Sequence, residues 1–413
     1  MSPTFRALRN PNYRLYLAGS VVSNTGTWMM RVAQDWLVLQ PLHGGSAAVG
    51  ITTGLQFLPI LLLTPYAGVV ADRMPKRRLL QFTQTTMGIA SLISGVVAVS
   101  GHSALWIVYL CALGLGVGAA FDAPTRQSFV SEMVDTEDLT NAVGLNSASF
   151  NVARLMGPAA SGLLIAALGS GQRATGVVFL INAASYAAVI LQLRRMNPAL
   201  LHPVTRQPRG PRQLVEAVAY VRSQPKMMFV LTLVFFVGTF GMNFQLTSAL
   251  MATQIYHKGA GEFGLLGSAL AVGSLTGALM AARRTRIRLR LLVFGGIGFG
   301  VAEIIAATLP TYGLFALCCP LIGFSALTVA NTANSTMQLS AEPTYRGRVM
   351  ALYMTVFQGG TPIGAPIIGW IGQAYGARWT LIVGGAFVLF GAALAIALLL
   401  LASRRSSEPV PAF

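Results

Sequence analysis

Apolar stretches of about twenty residues or more, broken by short polar segments, recur along the whole chain. They fall at Leu15–Leu39, Ala47–Ala71, Leu79–Ser100, Ala104–Ala123, Leu139–Leu168 and Thr175–Leu193. A second set follows at Met227–Ile255, Phe263–Ala282, Leu289–Leu309, Tyr312–Met337, Val349–Tyr375 and Trp379–Ala402. As a helix, a run of ~20 residues crosses the ~30 Å hydrocarbon layer. Twelve such runs nearly exhaust 413 residues, so no length remains for a large soluble domain. The pattern predicts an all-α membrane protein of twelve spans.

Composition agrees: 54% of residues are hydrophobic, only 10% are charged, and the mean hydropathy is +0.63. Soluble domains carry about 25% charged residues, so this chain has too little polar surface for water and needs lipid as solvent. The net charge of +17 would suit nucleic acid, but its placement does not. Of 29 Lys and Arg, 24 lie on one side of the predicted topology, from Arg6, Arg9 and Arg14 to Arg404 and Arg405. Only Arg173, Lys258 and Arg378 lie on the other. By the positive-inside rule both termini are expected in the cytoplasm. The first span, preceded by Arg6, Arg9 and Arg14, is too long and too polar for a cleaved signal peptide and is expected to stay attached. Cys111, Cys318 and Cys319 lie in apolar runs, and the four histidines are scattered. No nucleophile–base pair, metal-ligand spacing or phosphate loop appears, so neither an enzyme nor a bound cofactor is expected.

The segment Arg194–Gln224, rich in Pro and Arg, reads as a linker, with a short amphipathic surface helix expected over Pro211–Val221. It sets residues 1–196 as one six-helix half, 197–225 as a cytoplasmic linker, 226–402 as the second half and 403–413 as a tail. The halves match in places. Gly157 and Gly162 map onto Gly364 and Gly369 at an offset of 207, and Asp135 onto Glu342. Two parallel six-span repeats around a midplane cavity follow.

Two motifs carry chemistry. Gly68-Val-Val-Ala-Asp72-Arg73-Met-Pro-Lys76-Arg77-Arg78 joins spans two and three. It resembles the loop motif of the major facilitator superfamily, with Pro75 where that family often has Gly. Gly68 permits close helix approach, Asp72 suits the N–H groups opening a neighbouring helix, which the resemblance implies is the eleventh span, and the basic cluster suits Asp122 in the fourth. Together they predict a latch on the cytoplasmic side. Asn151-Val-Ala-Arg154-Leu-Met-Gly157-Pro158-Ala-Ala-Ser-Gly162 resembles the antiporter motif of the same superfamily. Its glycines lower bulk and Pro158 frees a carbonyl, so a bent fifth helix is expected to form a rocking contact between the halves. Asn10-Pro-Asn-Tyr-Arg14, Ser23-Asn-Thr-Gly26-Thr-Trp28-Met29 and Ala120-Phe-Asp-Ala-Pro-Thr-Arg126 are similar to the enterobactin-exporter-like, or transmembrane secretion effector, branch. That resemblance implies proton-driven export of drugs, siderophores or other secondary metabolites.

Ionisable residues within spans are costly and therefore functional candidates. They are Arg31, Asp35, Arg154 and Glu303. Asn24, Trp28, Arg31 and Asp35 share one face of the first helix. Protonation of Asp35 would break an Arg31–Asp35 pair, which is the core of a coupling switch; a hydrated Asp35 at the outer interface is the alternative. Arg154 needs a carboxylate partner, for which Asp35 or an anionic substrate group is a candidate, or must face a wet cavity; a structural hydrogen-bond anchor between helices is the alternative. Gln358 is a further substrate contact candidate, and Glu303 a packing or subunit contact. The expectation is a monomeric proton-coupled exporter of small amphipathic molecules in the inner membrane. Uptake by symport and a non-transporting receptor or scaffold are the competing readings.

Overall fold

The computed structural model describes residues 3–202, 213–282, 289–342 and 345–405. Among the described residues it is helical throughout, with no strand. The first six long helices are α1 (Pro11–Leu39), α2 (Gly45–Arg73), α3 (Lys76–Val99), α4 (Leu105–Met133), α5 (Leu139–Ala167) and α6 (Gln172–Arg195). A short helix α7 (Gln213–Arg222) precedes a span built from α8 (Pro225–Phe236), a π-helical turn (Val237–Gly241), α9 (Phe244–Leu250) and a second π-helical turn (Met251–Ile255). Then come α10 (Ala260–Ala282), α11 (Leu289–Thr308) and α12 (Tyr312–Ser340). The chain closes with α13 (Arg346–Gly359), α14 (Thr361–Tyr375) and α15 (Ala377–Arg405).

Local chemistry sets several boundaries. Asn10 caps α1, its side chain accepting from the N–H groups of Asn12 (2.9 Å) and Tyr13 (3.2 Å), and Pro11 takes the first helical position, where no N–H is needed. Met74 and Pro75 alone separate α2 from α3. The fourth span continues past the expected Ala123 to Met133, through Pro124. Burial explains the extension: Phe129, Val130 and Met133 pack with Tyr13, Tyr16 and Leu80 in one core cluster. That apolar burial offsets the hydrogen bond the proline removes.

Among the described residues, ten helices are long and apolar enough to cross a membrane. The twelve-span reading is consistent with this, because the other two spans fall short for identifiable reasons. Polar residues such as Asn24, Arg31, Gln34 and Asp35 dilute α1, and the eleventh span is broken between α13 and α14 at Gly360.

The chain forms two compact units. The first comprises residues 1–45, 55–208 and 258–268, the second 46–54, 209–257 and 269–413. In the first, α1 packs on α5 and α6, and α3 packs on α4 and α6. In the second, α8 packs on α15, and α11 packs on α12 and α15. The pairing scheme repeats when α8 stands for α1, α11 for α3, α12 for α4 and α15 for α6. The expected surface helix is α7, although residues 203–212 lie outside the described residues. It is tied to α13 by Glu216 and Arg348 (2.6 Å) and by Tyr220 stacked on Tyr345 at 4.4 Å.

Glycine contacts reproduce the repeat at atomic level. In the first unit Gly162 meets Gly264, and a Cβ on Gly264 would overlap the carbonyl of Pro158. In the second, Gly369 meets Gly50, and a Cβ on Gly50 would lie 2.5 Å from the carbonyl of Ala365. Ala365 is Pro158 displaced by the same 207 residues that relate Gly369 to Gly162, and Gly264 lies 214 beyond Gly50. Such backbone contact leaves no flexible group to move aside. Gly50→Ala and Gly264→Ala should therefore destabilise by similar amounts, about 1–3 kcal/mol each. Gly144→Ala, which meets nothing within 4 Å, should be neutral or stabilising. Thermal unfolding of the three purified variants in detergent checks this.

Candidate functional site

Gly157 determines how the first and fifth helices meet. A Cβ there would lie 2.6 Å from Trp28 Cβ and 3.1 Å from the Thr25 carbonyl, so only glycine lets α5 lie against α1 at this level. One turn on, Ser161 Oγ donates to the Met29 carbonyl at 2.8 Å and holds the register. The antiporter-like motif thus divides. Pro158 and Gly162 face α10, whereas Gly157, expected with them in the contact between halves, is the seat of Trp28 inside the first bundle.

Around Trp28 two cations converge. The Arg31 guanidinium carbon lies 4.8 Å from the Trp28 ring centroid and 5.7 Å from that of Phe57. The Arg154 guanidinium carbon lies 5.6 Å from the same indole. Phe150 meets Trp28 edge-on, with centroids 6.0 Å apart. Contacts of this kind are worth roughly 0.5–2 kcal/mol per cation, and among the described residues no hydrogen bond or ion pair engages either guanidinium. Arg31 Nε is buried and has no hydrogen-bond partner.

Asp35 is 5% exposed, which removes the alternative of a carboxylate hydrated at the interface. The expected pair with Arg31 is not formed, since no ion pair among the described residues includes either side chain. Spacing of four brings the two groups onto one face, but Arg31 turns to the rings of Trp28 and Phe57 instead. Asn24 is half-buried on the same helix. Gln358 belongs to the second unit and is exposed on α13, with Nε2 3.7 Å from Met354 Sδ. Glu303 is 1% exposed within the second unit, and its Oε2 has no hydrogen-bond partner. That burial fits packing and excludes a surface subunit contact.

The basic loop is arranged differently from the expectation. Gly68 and Asp72 are in α2, but their side chains lie outside the described residues; Arg73 and Arg78 are exposed. Lys76 pairs with Glu132, not with Asp122, and Arg77 donates to the Met196 carbonyl at 3.0 Å. Asp122 is already satisfied: it accepts from Thr83 Oγ1 (2.9 Å), Gln84 Nε2 (2.7 Å) and Arg126 Nε (2.5 Å). Arg126 in turn donates to Ser20 Oγ at 3.2 Å. A small cavity of about 10 Å³ adjoins this network, lined among others by Tyr16, Gln84, Arg126 and Gln192. Thr83, Gln84 and Glu132 had no distinguishing sequence signal. The spacing of four between Asp122 and Arg126 did signal a helical pair, hidden by placing the span end at Ala123.

Long apolar helices in two units with a repeated pairing scheme, and charged and aromatic side chains within the first, fit a transporter fold of the major facilitator type. The chain superposes with a TM-score of 0.73 on a bacterial homolog of the human lysosomal transporter Spinster, at 14% identity over 94% of this chain and 97% of that one. Residues 2–411 match the transmembrane secretion effector family, and the chain belongs to it. It is 27% identical to the multidrug efflux pump Tap of Mycolicibacterium fortuitum, over 89% of this chain and 90% of that protein. It is 22% identical to the staphyloferrin A transporter of Staphylococcus aureus, over 88% and 90%. The protein is therefore a multi-pass membrane transporter of small molecules, not an enzyme.

The Lys76 and Glu132 side chains are only 11% and 12% exposed, so removing one partner strands a charge. Lys76→Met or Glu132→Gln alone should cost about 3–5 kcal/mol. The double replacement should cost clearly less than the sum of the two, which a thermal-unfolding double-mutant cycle measures.

Proposed function

We propose that this protein exports small amphipathic molecules across the cytoplasmic membrane, with both termini in the cytoplasm, by alternating access driven by proton entry. One observation carries the coupling: Asp35 is a buried carboxyl one helical turn from Arg31, yet the two are not paired. A carboxyl with a cation in reach but not engaged has two available states. Protonated, it leaves Arg31 to the indole; ionised, it draws Arg31 away. Movement of Arg31 relative to Trp28 then links the proton to whatever occupies that ring. The multidrug efflux pump among its relatives supports outward transport of small molecules of more than one kind.

Asp72, Arg73 and the Lys76–Arg78 cluster serve as the cytoplasmic latch, and Gly162 with Pro158 forms the flexing contact. Residues 1–196 and 226–402 act as the two rocking halves, joined by a linker at 197–225 and followed by a tail at 403–413. Arg31, Arg154, Trp28 and Asn24 are the substrate contacts of the first half, and Gln358 is a separate substrate-contact candidate of the second.

Proteoliposomes loaded with a pH-sensitive dye test the coupling. In the wild type, adding an exported drug on the cytoplasmic side should move protons in the opposite direction. Asp35→Asn should reduce that proton movement to the leak while substrate counterflow continues. Coupled proton movement at the wild-type level in Asp35→Asn would reject the assignment.

A further inference from the structure

The α1–α5 site also carries information about the charge of its ligand. We propose that it takes an organic anion with a flat apolar body, the anionic group held between Arg31 and Arg154 and the ring laid along Trp28 and Phe150. This deepens the reading of the protein as an exporter and rests on it.

Within the first unit the described carboxylates are mostly committed elsewhere: Asp122 to Arg126, Glu132 to Lys76, and Glu137 and Asp138 to Arg6. Two guanidiniums share one indole, and the carboxyl nearest in sequence is Asp35, which joins neither in an ion pair. Even if Asp35 is ionised, one positive charge remains uncompensated. Cation–π contact does not supply the missing anion, because an aromatic ring carries no formal negative charge to meet the guanidinium N–H edges. Those edges form a planar fork suited to two-point bonding with a carboxylate. Arg31 Nε is a buried donor already lacking an acceptor, which is costly unless a ligand provides one.

Geometry then selects the body of the ligand. Trp28 is held on its backbone side by Gly157, and Phe57 and Phe150 stand beside the arginines. Arg31 and Arg154 are partly exposed as whole residues, although Arg31 Nε itself is buried, so each offers part of its side chain without being hydrated as freely as a surface charge. A lipophilic cation meets repulsion from two fixed positive charges at this ring. A neutral aromatic meets the same stacking surface without the ionic contact. An anionic aromatic satisfies both.

Three matched probes separate these cases: 2-naphthoate, 2-naphthylmethanol and 2-naphthylmethylammonium, titrated calorimetrically into the full-length protein in nanodiscs without any gradient. Naphthoate should bind about 10-fold or more tighter than the alcohol, the ratio set by charge-assisted hydrogen bonds. The ammonium compound should bind more weakly than either. Arg31→Gln and Arg154→Gln should each reduce the naphthoate-to-alcohol ratio towards one, a quantity unaffected by the fraction of folded protein. Equal affinity for the three probes, preference for the ammonium compound, or absence of saturable naphthoate binding in the wild type would overturn the proposal. Since binding is measured at equilibrium, a failure of proton coupling in Asp35→Asn vesicles leaves this result standing, and the converse also holds.

Discussion

The close approach of α1 and α5 at Gly157 is the contact on which the functional arrangement rests. A helix in lipid gains little from burying apolar side chains against another helix, because the lipid tails are equally apolar. What holds such helices is close backbone packing and the satisfaction of polar groups. Glycine at 157 supplies the first by letting the backbone of α5 reach Thr25 and Trp28. Arg154 lies one turn before it on the same helix and so arrives at the indole that Arg31 also covers. Any side chain at 157 would separate the helices and draw the two arginines from their shared ring.

Charge elsewhere in the first bundle is compensated locally. Asp122 is surrounded by Thr83, Gln84 and Arg126, and Lys76 is closed off by Glu132. These groups are costly to desolvate and are kept because every partner is present. The Trp28 cluster is the contrast. Its cations have aromatic neighbours and no ion pair, which leaves their strongest bonds open to a ligand or to a change in Asp35. In structural terms, that separates a network of mutually satisfied groups from a cluster of unpaired cations.

Pseudo-symmetry extends from helix pairing to single glycines. Thr25 and Thr239 present carbonyls to Gly157 and Gly364, and Thr239 lies 214 residues beyond Thr25. The surroundings differ even so. In the second unit the contact falls on a π-helical turn, Val237–Gly241, and the neighbouring rings of Phe240 and Phe387 stack at 4.3 Å without a cation. The duplicated backbone frame is therefore preserved while the chemistry is concentrated in the first copy.

Span positions, the basic loops and the 207-residue repeat were legible in the sequence, because lipid imposes length and polarity on each helix independently of its neighbours. The candidates Trp28, Arg31, Asp35 and Arg154 were legible too, since an ionisable residue in an apolar run stands out without knowledge of the fold. Partner choice was not. Whether Arg31 meets Asp35 or Trp28, whether Lys76 meets Asp122 or Glu132, and which way Gly157 faces all depend on helix rotation and on how far α4 continues past Pro124. Those quantities are settled by packing between segments distant in the chain, and spacing along one helix does not encode them. The amino-acid order alone thus determined a twice-repeated helical membrane protein with a few intramembrane charges; tertiary packing decided which charges neutralise each other and which remain available.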